Sequence, residues 1–97
     1  MLSPQNRYKK LGDMLLSAVG ERECSQAWLA DQTYVSPEAV HYWVIGQNRP
    51  APDRLGRIAA LLCLSPDNLA ALADYGDNPN ALDKVLAAYK NNLLELS

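Results

Sequence analysis

Few residues of this chain could support metal or redox chemistry. Its 97 residues include a single histidine, His41, and two cysteines, Cys24 and Cys63, that are far apart along the sequence. A structural zinc site needs four such ligands, so the chain has too few of them. The two cysteines are most simply interpreted as small apolar residues rather than as a disulfide or a redox pair. No metal or other cofactor is expected.

Long hydrophobic runs and catalytic motifs are also lacking. The longest unbroken apolar run, Ile58 to Leu64, has seven residues, whereas a membrane-spanning helix needs about 20. The first residues, MLSPQNRYKKLGD, contain no long apolar stretch of the secretory type, so we expect a cytoplasmic protein. The chain has no nucleophile motif and no glycine-rich phosphate loop, and His41 has no evident carboxylate partner. An enzyme is therefore not expected.

An excess of positive charge is absent too, since the net charge is −2. Nucleic-acid-binding domains are more often basic. The charge is unevenly distributed, however: residues 1–57 carry seven basic and six acidic side chains, and residues 58–97 carry two basic and five acidic ones. Any contact with nucleic acid is therefore expected from the first part. The acidic second part is a candidate surface for a protein partner.

Three serines mark the predicted starts of helices. Ser25, Ser36 and Ser65 each follow an apolar residue, and another apolar residue lies four positions beyond each serine. This is the pattern of an N-cap serine flanked by a hydrophobic staple. Proline, the favoured first helical residue, follows two of the three serines, at Pro37 and Pro66.

The apolar periodicity predicts an all-α chain that forms one domain. Gly20 and Gly46 are expected to end the first and third helices, and the segment DYGDNPNALD is interpreted as a solvated linker before the last helix. The six predicted helices cover residues 5–19, 25–32, 36–45, 52–62, 66–73 and 79–94.

The second and third predicted helices are separated only by Thr33, Tyr34 and Val35. Two short helices joined by about three residues form a helix-turn-helix, in which the second helix can enter a DNA major groove. One face of that helix is expected to pack inward around Trp43. The opposite face carries four chemically different side chains, namely Glu38, His41, Tyr42 and Ile45. For Trp28, core and interaction surface remain equally open.

Residues 25–50, SQAWLADQTYVSPEAVHYWVIGQNRP, resemble the helix-turn-helix core of the lambda-repressor and Cro class, the XRE-type regulators. The resemblance extends over about residues 11–70. Its matching elements are Leu11-Gly12, Ser25-Gln26, Leu29-Ala30, Val35-Ser36, Val40, Trp43, Gly46, Pro50, Leu55, Ile58-Ala59, Leu62, Leu64-Ser65 and Leu69.

The resemblance implies a compact lambda-repressor-like bundle of five helices plus a C-terminal helix. It further implies operator binding as a homodimer and transcriptional control of the repressor type. On this basis residues 1–75 are expected to form the DNA-binding helix-turn-helix part. Residues 76–97 are expected to form a C-terminal helix of the same domain that serves dimerisation.

The resemblance also implies which residues bind double-stranded DNA. Glu38 can accept a hydrogen bond from a cytosine amino group, Ala39 can meet a thymine methyl group, and Arg49 can hold a phosphate. Gln26 is expected to anchor the second helix on a phosphate. The full set is Gln26, Ser36, Pro37, Glu38, Ala39, His41, Tyr42, Gln47, Asn48 and Arg49.

This sequence differs from the usual pattern of the family at four points. Tyr34 and Cys63 stand where the family usually has glycine, and a tyrosine at positive φ would be strained. Ala51 stands where a capping serine or threonine is usual, which predicts a less firmly started fourth helix. The reading helix, residues 36–45, contains no Lys or Arg.

The last helix carries an apolar stripe that could serve as intramolecular core or could pair with a second copy. We expect pairing, through Leu82, Val85, Leu86, Tyr89 and Leu93. The alternative function is a protein-protein interaction module with little affinity for DNA. This alternative is favoured by the acidic balance of the chain, by Glu38, and by a stripe rich in aromatic residues, which suits a protein hot spot. The stripe consists of His41, Tyr42 and, if it faces outward, Trp28.

Overall fold

Six helices make up the part of the chain that the computed structural model describes, residues 7–96. They are α1 Lys9–Glu21, α2 Gln26–Thr33, α3 Pro37–Val44, α4 Pro52–Leu62, α5 Pro66–Leu72 and α6 Pro79–Leu96. No strand occurs among these residues, which confirms the prediction of an all-α chain. None of the helices described is both long enough and apolar enough to cross a membrane.

Internal contacts divide the chain into two compact units. The first ends at Arg49 and contains α1, α2 and α3, and the second begins at Pro50 and contains α4, α5 and α6. The unit boundary therefore lies between α3 and α4. The predicted grouping of residues 1–75 as one DNA-binding part, with 76–97 as an added helix, stays a prediction.

The three predicted capping serines are confirmed. The hydroxyl oxygen of Ser25 accepts a hydrogen bond from the backbone N–H of Trp28 at 2.9 Å. Ser36 caps α3 in the same way through Ala39 at 3.2 Å, and Ser65 caps α5 through Asn68 at 3.3 Å. At the start of α4, Ala51 provides no side-chain cap, because its methyl group cannot accept a hydrogen bond. Local sequence chemistry thus sets where these helices begin.

The first helix differs from its prediction at both ends. Residues 5 and 6 lie outside the described residues, and Tyr8 precedes the first helical residue, Lys9. The prediction that Gly20 ends the helix is wrong, because Gly20 lies inside α1 and the chain turns only at Glu23, where φ is 58°. A glycine costs a helix only about 1 kcal/mol relative to alanine. The burial of Ala18 and Val19 in the same turn offsets that cost.

In the first unit, α1 and α3 approach each other at Gly12. A Cβ added to Gly12 would overlap two backbone carbonyl oxygens of α3. It would lie 2.5 Å from the oxygen of Trp43 and closer still to the oxygen of Val44. Only glycine allows the two backbones this distance. The apolar side chains that are buried in this unit are Leu11, Leu15, Ala18, Val19, Leu29, Ala30, Val40, Trp43 and Val44. The prediction that Trp43 is a core residue is confirmed.

In the second unit, α6 lies against α4 at Gly56, where an added Cβ would be 2.7 Å from the Cβ of Ala88. Arg57 of α4 donates a hydrogen bond to the side-chain oxygen of Asn92. The carboxylate of Glu95 lies 3.7 Å from the guanidinium group of Arg57. These contacts continue to the last turn of α6, which ends two residues beyond the predicted limit of 94.

The segment between α5 and α6 is not simply a solvated linker. Tyr75 is buried, with 7% of its surface exposed, and its hydroxyl donates a hydrogen bond to the carbonyl oxygen of Pro50 at 2.8 Å. The interpretation of DYGDNPNALD as solvated is therefore wrong for Tyr75 and for Ala81, which is also buried. It holds for Gly76, Asp77 and Asn78, which are exposed.

Candidate nucleic-acid interface

The turn between α2 and α3 is a Schellman motif, a helix ending in which two backbone N–H groups fold back onto the last helical turn. The N–H of Val35 donates to the carbonyl of Ala30 at 3.1 Å, and that of Tyr34 donates to Asp31 at 3.3 Å. The motif needs a left-handed residue, usually glycine. Here that residue is Tyr34, with φ 60° and ψ 40°. Only Tyr34, Val35 and Ser36 separate the two helices.

The outer face of α3 is open to solvent, as the sequence predicts. Ser36, Pro37, Glu38, His41 and Tyr42 are exposed, and Ala39 is half-buried. On the opposite face Val40, Trp43 and Val44 are buried. The rings of His41 and Tyr42 are tilted against each other with their centroids 5.8 Å apart. This arrangement leaves a carboxylate, an imidazole and a phenol available to a partner along little more than one helical turn.

The loop after α3 is held by the helix itself. The N–H groups of Gln47 and Asn48 both donate to the carbonyl oxygen of Tyr42, at 3.0 and 3.3 Å. The N–H of Arg49 donates to the side-chain oxygen of Asn48 at 2.9 Å. Gln47 and Asn48 are exposed, whereas Arg49 is half-buried. Three of the predicted phosphate-contacting residues are therefore placed by a short, ordered set of hydrogen bonds.

Gln26, the remaining residue of the predicted set, is the first residue of α2 and is half-buried. The capping hydroxyl of Ser25 precedes it, so its side chain projects from a firmly started helix. Trp28, for which core and surface were both open, is also half-buried, and it belongs wholly to neither class.

A group of residues at the start of α1 lies beside this loop, and sequence reasoning did not include it. The N–H of Tyr8 donates to the carbonyl oxygen of Gly46 at 3.0 Å. The guanidinium carbon of Arg49 lies 5.3 Å from the centroid of the Tyr8 ring, and that of Arg7 lies 5.7 Å from it. The signal in the sequence was the run Arg7-Tyr8-Lys9-Lys10, which combines an aromatic ring with three cations.

The structure separates the residues predicted for dimerisation by their exposure. Val85 is completely buried, which places it in the core of the second unit and not on its surface. Leu82, Leu86 and Tyr89 are half-buried, and Leu93 is 40% exposed. Beyond them Leu94 and Leu96 are 77% and 50% exposed. A surface that could pair with a second copy is therefore concentrated in the last turns of α6.

The cysteines and acidic residues show no arrangement of a metal site. Cys24 is half-buried and Cys63 is exposed, and both are free thiols. Within residues 7–96, no three His, Cys, Asp or Glu side chains come together in a way that could hold a metal ion.

Comparison with known proteins finds no family model, no curated protein and no solved structure that matches this chain. The resemblance to the lambda-repressor and Cro class therefore stays a prediction from the sequence.

Proposed function

We propose that this protein is a sequence-specific, double-stranded DNA-binding transcriptional regulator of the repressor type, which acts as a homodimer. In this proposal its helices form a lambda-repressor-like helix-turn-helix bundle. The observation that carries the proposal is the α2–turn–α3 segment. Two helices of eight residues each are joined by a left-handed residue, and the second helix has a buried inner face and an exposed polar outer face. A recognition helix needs this combination, because it must be held firmly while its outer face meets the bases.

The roles of individual residues follow from their positions. Glu38 lies in the first turn of α3, where its carboxylate can accept a hydrogen bond from the amino group of a cytosine. His41 and Tyr42 lie one turn further and can reach base edges or phosphates. Gln47, Asn48 and Arg49 lie in the ordered loop and are suited to phosphates, which position a protein on DNA without reading its sequence. Gln26 and Ser36 are suited to the same task at the starts of α2 and α3.

A homodimer has twofold symmetry, so its two copies of α3 would read two symmetry-related half-sites. The binding site would then be an inverted repeat with half-sites about 34 Å apart. Leu93 and its neighbours in the last turns of α6 are the residues that favour this part of the proposal.

The first experiment is selection from a pool of random duplex DNA at physiological salt, followed by sequencing of the retained molecules. We expect an enriched inverted repeat. Two variants then separate reading from positioning. Arg49→Ala should weaken binding to every sequence alike. Glu38→Gln should change the preferred base at one position from cytosine towards adenine, with a change of about 1 to 3 kcal/mol in the difference between the binding free energies of the two sites.

Arg22→Ala is the matched control for Arg49→Ala, because Arg22 is an exposed arginine at the other end of α1. It removes the same charge from the same unit and should leave binding unchanged. Equal losses on all sequences for both Arg49→Ala and Glu38→Gln would remove the claim that α3 reads bases.

A second candidate function is a protein-interaction module built on the same scaffold. It is favoured by the exposure of Tyr34 in the turn, at 76%, and of Tyr42 in α3, at 46%, and by the absence of Lys and Arg from α3. Tyrosines of this kind are frequent in protein hot spots. The salt dependence of duplex binding decides between the two. A DNA-binding protein loses affinity steeply as salt rises, whereas an interaction module shows little duplex binding at any salt.

A further inference from the structure

Two arginines from different segments of the first unit lie against one aromatic ring. Arg7 precedes α1 and Arg49 follows α3, and their guanidinium carbons lie 5.7 and 5.3 Å from the centroid of Tyr8. The backbone hydrogen bond from Tyr8 to Gly46 joins these segments at the same place. We call Arg7, Tyr8 and Arg49, together with Lys10, which lies two residues after Tyr8 in the sequence, the Tyr8 cluster. Cations held over a tyrosine ring lose less freedom when they bind an anion than cations on a free stem.

Basic charge in the first unit is concentrated at this point. Residues 7–49 contain five Lys or Arg side chains, and four of them lie at positions 7, 9, 10 and 49. The Asp13 carboxylate is 2.6 Å from the Lys9 ammonium group and offsets that charge. Glu21 and Glu23 lie at the opposite end of α1, about 20 Å away. Three of the five basic side chains of residues 7–49 therefore belong to the cluster, and a fourth, Lys9, is next to Tyr8 in the sequence.

Helix stability does not explain this placement. The first turn of α1 contains no acidic residue and begins with Lys9 and Lys10. Cations at the N-terminal end of a helix oppose its dipole and lower its stability. The same charges add to the attraction that this end of the molecule exerts on an anion.

We infer that the Tyr8 cluster, which includes Arg49 of the loop after α3, binds the phosphate backbone of duplex DNA beside the contacts of Gln47 and Asn48. The inference rests on the proposed function and extends it. The cluster supplies the cationic side chains that α3 lacks. Phosphate contacts by Lys and Arg provide most of the sequence-independent affinity for DNA. α3 carries one charge, that of Glu38, and it is negative. Base reading and phosphate binding are thus divided between α3 and the start of α1.

The test measures binding of a fluorescently labelled, mixed-sequence duplex to the full chain at salt concentrations between about 50 and 200 mM. Arg7→Gln and Lys10→Gln each remove one cation of the cluster, and both side chains are exposed. Arg22→Gln is the matched control, since it removes an exposed cation from the far end of α1. Circular dichroism and thermal unfolding establish that each variant is folded.

We expect Arg7→Gln and Lys10→Gln each to reduce the slope of log affinity against log salt by about 0.9, and to weaken binding about fivefold at physiological salt. Arg22→Gln should leave both quantities at the wild-type values. If wild-type protein binds the duplex and the cluster variants behave like Arg22→Gln, the inference is overturned and the proposed function stands. If the wild-type protein binds no duplex at any salt, the proposed function fails first and the inference fails with it.

Discussion

Tyr34 adopts a backbone conformation that tyrosine rarely takes, at the turn on which the orientation of α3 depends. Its φ of 60° places the Cβ near the following carbonyl oxygen, which costs about 1 to 2 kcal/mol for any residue except glycine. The ring is 76% exposed, so its packing offsets little of this cost. The conformation persists because the Schellman hydrogen bonds and the burial of Leu29, Ala30 and Val40 on either side require it.

Tyr34→Gly should therefore stabilise the protein by about 1 kcal/mol. This value is the strain removed, reduced by the about 0.5 to 1 kcal/mol that glycine's flexibility in the unfolded chain costs. Urea unfolding followed by circular dichroism measures the difference. Tyr34→Ala is the matched control, because it removes the ring but keeps the Cβ and should give no such gain. A Tyr34→Gly variant that is less stable than Tyr34→Ala by the cost of glycine's flexibility would show that strain at this residue is negligible.

At the scale of the helices, most helix ends share one backbone conformation, although the residue that adopts it differs. Five of the six described helices end in a left-handed residue, at Glu23, Tyr34, Gly46, Cys63 and Asp74. Only α3 uses glycine. A Cβ on Gly46 would lie 2.7 Å from the backbone N and Cα of Lys9, so the start of α1 could not lie against that turn. At the other four helix ends the only requirement is a positive φ, and residues other than glycine adopt it.

Replacing the two glycines of α1 by alanine should have opposite effects on stability, because only Gly12 lies at the contact with α3. Gly12→Ala should destabilise the protein by about 3 kcal/mol, because the added methyl group would meet the carbonyl oxygens of Trp43 and Val44, which cannot move independently of α3. Gly20→Ala has nothing within 4 Å of the new Cβ and should stabilise α1 by about 0.5 to 1 kcal/mol. Thermal unfolding of both variants checks the pair. A loss for Gly20→Ala, or none for Gly12→Ala, would contradict the helix contact described.

At the scale of the whole molecule, the proposed homodimer depends on what covers the end of α6. Arg57, Asn92 and Glu95 attach this end to α4, which keeps the helix in place while Leu93, Leu94 and Leu96 remain exposed. Val85 is already covered by its own chain. Pairing of two copies through α6 would therefore involve the outer leucines and not the buried part of the stripe.

In the proposed homodimer, Leu93→Glu should raise the dimer dissociation constant about 100-fold, because an uncompensated charge at the interface costs about 3 kcal/mol or more. Sedimentation equilibrium measures this directly. Leu16→Glu is the matched control, since Leu16 is 45% exposed on α1 in the first unit, and it should leave the association unchanged. A folded Leu93→Glu variant that still dimerises like the wild type would rule out α6 as the pairing surface.

The sequence by itself determined the helices of this protein and most of their boundaries. The capping of α2, α3 and α5 depends on Ser25, Ser36 and Ser65 and on residues within four positions of each, so that local pattern is sufficient. The exposed face of α3 followed from helical periodicity for the same reason. Where a helix could end at more than one residue, as in α1, local rules chose Gly20 wrongly, because burial of the preceding turn decided the matter.

Only the tertiary structure decided which distant residues share a surface. The cluster of Arg7, Tyr8 and Arg49 joins segments about 40 positions apart, and no local pattern contains the backbone contact between Tyr8 and Gly46 that brings them together. The burial of Tyr75 through its bond to Pro50 and the burial of Val85 have the same origin. Periodicity shows that a helix has an apolar face, but the packing of one helix on another determines which part of that face is covered.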